Sequence, residues 1–144
     1  MKVTNKVRAR VCRMANNLVK EGYSKAAAFV RAWIMVKLEQ VKIRVSGVTY
    51  GKRQTALEHL RRYKPEDISI QLVREIGNAY DRNAVKVIAS VRNRGSYCMG
   101  YLPRGLAAFI APLLDCGDTV TALYNKVAVR AVSLPYGLEI AVRT

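Results

Sequence analysis

Residues 68–91 read ISIQLVREIGNAYDRNAVKVIASV, and this stretch decides the fold class. Ile68, Ile70 and Leu72 alternate with their neighbours, the period of a strand that buries one face. Val85, Val87, Ala89 and Val91 alternate in the same way. Between them, residues 77–83 (GNAYDRN) are dense in turn formers and predict a loop. The unit is therefore two strands joined by a polar loop.

The same period extends outward on both sides. Downstream, Asn93, Arg94 and Gly95 turn the chain into a strand over 97–102 that ends at Pro103. Pro103 suits the first position of a helix reaching residue 115, with Leu106, Phe109, Ile110, Leu113 and Leu114 apolar. Pro112 should kink or shorten that helix, and Gly117 should stop it. Residues 119–132 and 137–143 predict two last strands around a Pro135–Gly137 turn. Upstream, a short helix over 55–62 stops before Pro65. Before it, Val41, Ile43 and Val45 alternate with Lys42, Arg44 and Ser46. The expectation is an α+β domain in which about six short strands close into a small barrel with flanking helices.

Residues 1–40 follow a period of 3.6 instead. Val7, Val11, Met14 and Leu18 fall on one face of a helix over 4–20. Lys2, Lys6, Arg10, Arg13, Asn17 and Lys20 form a second, basic stripe beside it. Gly22 is placed to end this helix and Ser24 to cap a second over 25–38. The second helix is apolar over a wide arc, with Phe29, Trp33 and Val36 on one side. The predicted organisation is a basic helical hairpin at 1–40, docked on a barrel domain at 41–144.

Charge narrows the class of partner. The 144 residues carry a formal charge of +15, and residues 1–44 alone hold eleven basic side chains against Glu21 and Glu39. Such an excess favours a polyanion through counterion release. The three cysteines, Cys12, Cys98 and Cys116, are far apart and form no C-x-x-C pair, which points to a reducing compartment and away from a disulfide framework or a zinc site. No window approaches the ~20 apolar residues of a membrane span, and residues 1–18 lack the unbroken apolar run of a signal peptide. The expected location is the cytoplasm, with no membrane partner.

Three blocks carry a family resemblance: SGVTYGKRQTALEHL (46–60), LVREIGNAYDRNAVKV (72–87) and GYLPRGLAAFIAPLLDCG (100–117). Over about residues 41–144 the chain resembles the HIRAN family. The middle block is the most specific, being similar to the family string REP-x-N-P-YD-x-NA, with Ile76 and Ala79 in place of its two prolines. The resemblance implies an OB-like small barrel. It also implies binding of single-stranded DNA with preference for a free 3′-hydroxyl end. Stand-alone members of this size resemble those of bacteria and their phages, in a replication, repair or phage setting. No motor is expected within residues 1–144, which hold no G-x-x-x-x-G-K-[ST] loop.

The resemblance places Tyr50 in the DNA pocket as a stacking ring; its plain alternative is a core or turn tyrosine. The residue before it, often basic in DNA-end binders, is Thr49, which removes a cation. Asp81 can accept a hydrogen bond from a sugar hydroxyl while repelling a phosphate, or it can simply cap its own turn. Tyr80 either borders the pocket or fills the core, and Asn83 reads as a turn residue. Tyr101 and Arg104 flank the start of the long helix, where backbone N–H groups and the guanidinium favour a phosphate. Lys52 and Arg53 sit near Tyr50 as phosphate contacts or as ordinary surface charges. Lys6, Arg10 and Arg13 offer further phosphate contacts if the basic stripe tracks a backbone rather than merely facing water.

These residues predict a non-enzymatic DNA-binding protein without cofactor or metal. A protein-interaction module, such as a phage factor that binds a host DNA-processing protein, is the competing reading, motivated by the apolar arc of helix 25–38. A metal-dependent nuclease using Glu75, Asp81 and Asp118 is weaker, because their spacing fits no signature. His59, the only histidine, has no nucleophile motif beside it.

Overall fold

A computed structural model describes residues 2–38, 42–129, 131 and 134–143. The chain divides into two compact units, one over residues 1–41 and one over 42–142.

The first unit is a helical hairpin. Helix α1 (Asn5–Lys20) starts at Thr4, whose hydroxyl accepts the Val7 N–H at 3.3 Å. It ends in a Schellman motif. Gly22, at φ +106°, lets its own N–H reach Val19 O and the Tyr23 N–H reach Leu18 O. Ser24 then caps α2 (Lys25–Leu38) by accepting the Ala27 N–H. Val11 and Ala15 of α1 pack on Ala28, Ala32 and Val36 of α2, with Val7, Met14, Leu18 and Trp33 partly buried around them. Trp33 and Val36 lie on the contact face as expected, but Phe29 does not. The small residues Ala28 and Ala32, one turn apart, let the backbones approach, and Phe29 and Val30 are left 38% and 61% exposed.

The second unit is a six-stranded sheet with two α-helices. Its strands are β1 (Ile43–Arg44), β2 (Ile68–Arg74), β3 (Val85–Val91), β4 (Gly95–Tyr101), β5 (Thr121–Ala128) and β6 (Gly137–Arg143). Their order is β1-β6-β5-β2-β3-β4. The β2–β3 ladder pairs Ile68 with Val91 through Arg74 with Val85, all antiparallel, as the 68–91 pattern requires. The alternating side chains Val85, Val87, Leu138, Ile140 and Val142 form the core with Leu57, Ile110 and Leu113. The outermost strands, β1 and β4, are drawn together: just past β1, Ser46 N–H donates to Tyr101 O at 2.8 Å, and Tyr101 N–H returns to Ser46 O at 2.9 Å. The sheet thus curls into the expected OB-like barrel.

Gly100 makes that closure possible. A Cβ there would overlap the Ser46 carbonyl oxygen and lie 2.8 Å from Val45 Cγ1. The backbones of the two strands cross too closely for any side chain.

Helix α3 (Arg53–Leu60) begins two residues earlier than expected and is followed by a 3₁₀ turn at Pro65–Asp67. Helix α4 (Arg104–Asp115) shows a correction at its start: Pro103 is the cap residue, with ψ 141°, and Arg104 is the first helical residue. Helix α4 also continues past Pro112, whose carbonyl accepts the Cys116 N–H at 3.0 Å. Strand β5 is shorter than the predicted 119–132; residues 130, 132 and 133 lie outside the described residues, as does Val41 of the predicted first strand. No described helix is long and apolar enough to cross a membrane.

Candidate nucleic-acid interface

The loop between β2 and β3 is built by its own polar side chains. Asn78 Oδ1 accepts the N–H groups of Tyr80 and Asp81, at 2.8 and 2.9 Å. Asp81 Oδ1 accepts the Asn83 N–H at 2.9 Å. These are Asx turns, so the loop is held even though Ile76 and Ala79 replace proline. Arg74 fixes the loop's base. Its guanidinium donates to Ala84 O at 2.9 Å and Arg82 O at 3.1 Å, and pairs with Asp115 of α4 at 3.0 Å.

Held this way, the loop walls a pocket of about 210 Å³ with the end of β4. Asn78, Tyr80 and Asp81 line one side and Tyr101 and Leu102 the other. Tyr80 is 91% exposed, which removes the core alternative for this ring. The Asp81 carboxylate uses Oδ1 in its turn and, among the described residues, has no hydrogen-bond partner for Oδ2. Asp81 is thus a turn residue, and it also lines the pocket.

Glu75 joins the two walls. Asn78 Nδ2 donates to its carboxylate at 2.6 Å, the Tyr101 hydroxyl donates to it as well, and Lys86 Nζ lies 3.3 Å away. The bonds from Asn78 and Tyr101 hold the carboxyl below the usual glutamate range, against a smaller opposing effect of burial. Partial burial, then the hydrogen bond to Glu75, pushes the Tyr101 phenol up, so it remains a donor.

Tyr101 also connects the pocket to α3. The Arg53 guanidinium lies 5.2 Å from the centre of the Tyr50 ring and 5.5 Å from that of Tyr101. Its Nη1 donates to Gly47 O at 2.8 Å. Such cation–π contacts are worth ~0.5–1 kcal/mol at exposed sites. Arg53 thus ties two rings together, a use that its reading as a phosphate contact did not include. Tyr50 is 75% exposed and is not a core residue.

The structure therefore brings together Tyr50, Arg53, Tyr80, Asp81 and Tyr101. Lys52 and Arg104 are exposed at the starts of α3 and α4 and do not line the pocket. Lys6, Arg10 and Arg13 are exposed on α1, in the other unit. Asn78 was missed, and Glu75 was weighed only as a metal ligand. Asn78 had a legible signal, an asparagine two and three residues before the backbone donors it binds. Glu75 had none, because its partners Tyr101 and Lys86 are distant in sequence. The described residues hold no group of three or more His, Cys, Asp or Glu placed to bind a metal, and Glu75 is already engaged by Asn78, Tyr101 and Lys86.

Comparison with known proteins adds three findings. The model of the HIRAN domain family matches residues 38–140. A protein from Lactobacillus plantarum of known structure is 22% identical, with a TM-score of 0.47, over 72% of this chain and 92% of that one. The HIRAN domain of human HLTF is 21% identical, with a TM-score of 0.41, over 71% of this chain and 73% of that one. No curated protein matches.

Proposed function

The chain belongs to the HIRAN domain family, and on that premise we propose that it is a non-enzymatic binder of single-stranded DNA that grips a free 3′-hydroxyl end. HIRAN domains bind nucleic acid, which is the coarse part of this reading. Its finer part rests on one observation: Asp81, whose Oδ2 has no hydrogen-bond partner among the described residues, lines a pocket bordered by Tyr80 and Tyr101.

A terminal hydroxyl can donate to that oxygen, and hydrogen bonds to charged groups are worth ~1.5–3 kcal/mol. A terminal phosphate in the same place meets a like charge. Tyr50 and Tyr80 offer exposed faces for base stacking. In this reading Arg104 holds a phosphate of the strand that leads in, helped by the backbone N–H groups of the first turn of α4, and Lys52 adds charge near Tyr50. Lys6, Arg10 and Arg13 supply further sequence-independent attraction. We place this activity in replication, repair or a phage infection, in the cytoplasm of a bacterial cell or a phage-infected host.

The test is a titration of one oligonucleotide with 3′-hydroxyl, 3′-phosphate or 5′-modified ends, and of its circular form, at two salt concentrations. Tightest binding of the 3′-hydroxyl form is expected. Equal affinity for all forms would defeat the end reading.

A second reading has its own support in Phe29 and Val30 of α2, which stay exposed. They motivate contact with a DNA-processing protein. Such a partner should be retained on the immobilised chain after nuclease treatment and lost with Phe29→Ser/Val30→Ser; retention that depends on nucleic acid rejects it.

A further inference from the structure

A second pocket, also of about 210 Å³, lies at the other end of α3. Leu60 and Met99, both buried, form its apolar floor, and the rings of Tyr63 and Tyr97 line it. His59 and Arg94 stand at its exposed rim. Tyr97 keeps 44% of its surface in water although it sits on a barrel strand. The Arg94 side chain forms no hydrogen bond or ion pair among the described residues; only its backbone N–H is used, by Val91 O. No acidic side chain lines the pocket. The fold therefore gives no account of why an arginine and two tyrosines gather here.

Their chemistry has one natural ligand. An apolar floor with aromatic rings takes a flat ring, and an unpaired guanidinium at the mouth takes an anion attached to it. A nucleobase with its neighbouring phosphate has both parts. The volume is below the ~300–1,000 Å³ of drug-sized sites, which fits one ring system rather than a larger molecule.

Position supports the same ligand. Arg53, the first residue of α3, stacks on Tyr101 of the first pocket, and the last turn of α3 lines the second. At ~1.5 Å per residue the eight-residue helix separates them by on the order of 12 Å. That is a few nucleotides of extended strand, at the low end of the ~4–16 nucleotides that barrels of this kind occupy.

We infer that this second pocket holds a base of the same single strand, upstream of its 3′ end, with Tyr97 as the stacking shelf and Arg94 on the adjoining phosphate. The inference rests on the strand-end reading above. It converts an end reader into one that also measures a minimum length of free strand.

The test is a length series of oligothymidylates, two to eight nucleotides with a free 3′-hydroxyl, titrated against the full chain. Wild type should gain affinity as length passes about four nucleotides. Tyr97→Ala and Arg94→Ala should each lose most of that gain, about fivefold or more if stacking has its usual strength. Both should keep wild-type affinity for the dinucleotide and wild-type preference for 3′-hydroxyl over 3′-phosphate, and Tyr97→Phe should restore the gain. Unchanged affinity of Tyr97→Ala at every length overturns the second pocket, and so does an equal loss at every length, the mark of a general folding defect. A wild type that ignores the 3′ end but still shows the Tyr97-dependent gain defeats the end reading alone.

Discussion

Gly100→Ala tests barrel closure and the placement of Tyr101 together. The added methyl would overlap a backbone carbonyl, that of Ser46, which cannot rotate away. Two responses are open to the chain. If the strands stay in place, the overpacking costs about 1–3 kcal/mol. If they separate, the reciprocal Ser46–Tyr101 hydrogen bonds are lost, at about 0.5–1.5 kcal/mol each. Either route gives about 1–3 kcal/mol, a large share of the ~5–15 kcal/mol that holds a domain together. The variant should therefore fold and be weakened. Separation also moves Tyr101, which lines the pocket, stacks on Arg53 and donates to Glu75, so affinity for a 3′-hydroxyl strand should fall with stability.

The choice of assay matters, because the only tryptophan, Trp33, lies in the helical hairpin. Tryptophan fluorescence would follow the wrong unit. Denaturant unfolding should be followed by tyrosine near-ultraviolet dichroism, and amide exchange at Ser46 and Tyr101 read by NMR. Gly105→Ala is the control, since a Cβ there meets nothing within 4 Å and the site is helical. It should be neutral or stabilising by up to ~1 kcal/mol. A Gly100→Ala protein with wild-type unfolding, wild-type exchange at both amides and wild-type DNA affinity would refute the reasoning.

Further outcomes follow from the site. Asp81→Asn keeps an oxygen for the Asn83 N–H but removes the charge. It should preserve the melting temperature and cut the preference for 3′-hydroxyl over 3′-phosphate by about tenfold or more in competition titrations. Arg104→Ala should weaken binding to every single strand and lower the slope of log K against log salt by ~0.7. Arg74→Ala removes a half-buried guanidinium that holds Ala84 O, Arg82 O and Asp115, and should destabilise the barrel unit by about 2–3 kcal/mol in thermal melts. Glu75 gives a pH dependence. Its folded-state pKa is depressed, so its contribution is fully present above the unfolded glutamate value, ~4.3, and is lost as pH falls through the lower folded value. Glu75→Gln should lower stability near neutrality, where the carboxylate's contribution is fully present, and flatten the profile across that acidic window; an unaltered acid limb would count against this role of Glu75.

Much of this was legible along the chain, for stated reasons. Alternation of Ile68, Ile70 and Leu72 and of Val85, Val87 and Ala89 reflects a strand's period of 2, and the β2–β3 ladder follows it residue for residue. Thr4, Gly22 and Ser24 act within a few residues of the groups they satisfy, so helix ends were readable as well. The α1–α2 contact face was legible only in part, through Trp33 and Val36. Hydrophobicity points to Phe29, whereas close approach of two backbones selects Ala28 and Ala32.

Composition, period and local capping are properties of neighbours in sequence, and by themselves they determined a basic chain with two helices, then an α+β barrel with a polar loop between its second and third strands. The pocket is a property of residues far apart. Tyr50, Arg53, Glu75, Asp81 and Tyr101 become one site only because Gly100 lets Ser46 and Tyr101 pair and close the sheet. The Asx turns then set Tyr80 and Asp81 against that closed edge. Strand closure depends on how near two backbones can come in space, and no spacing along the sequence encodes that distance.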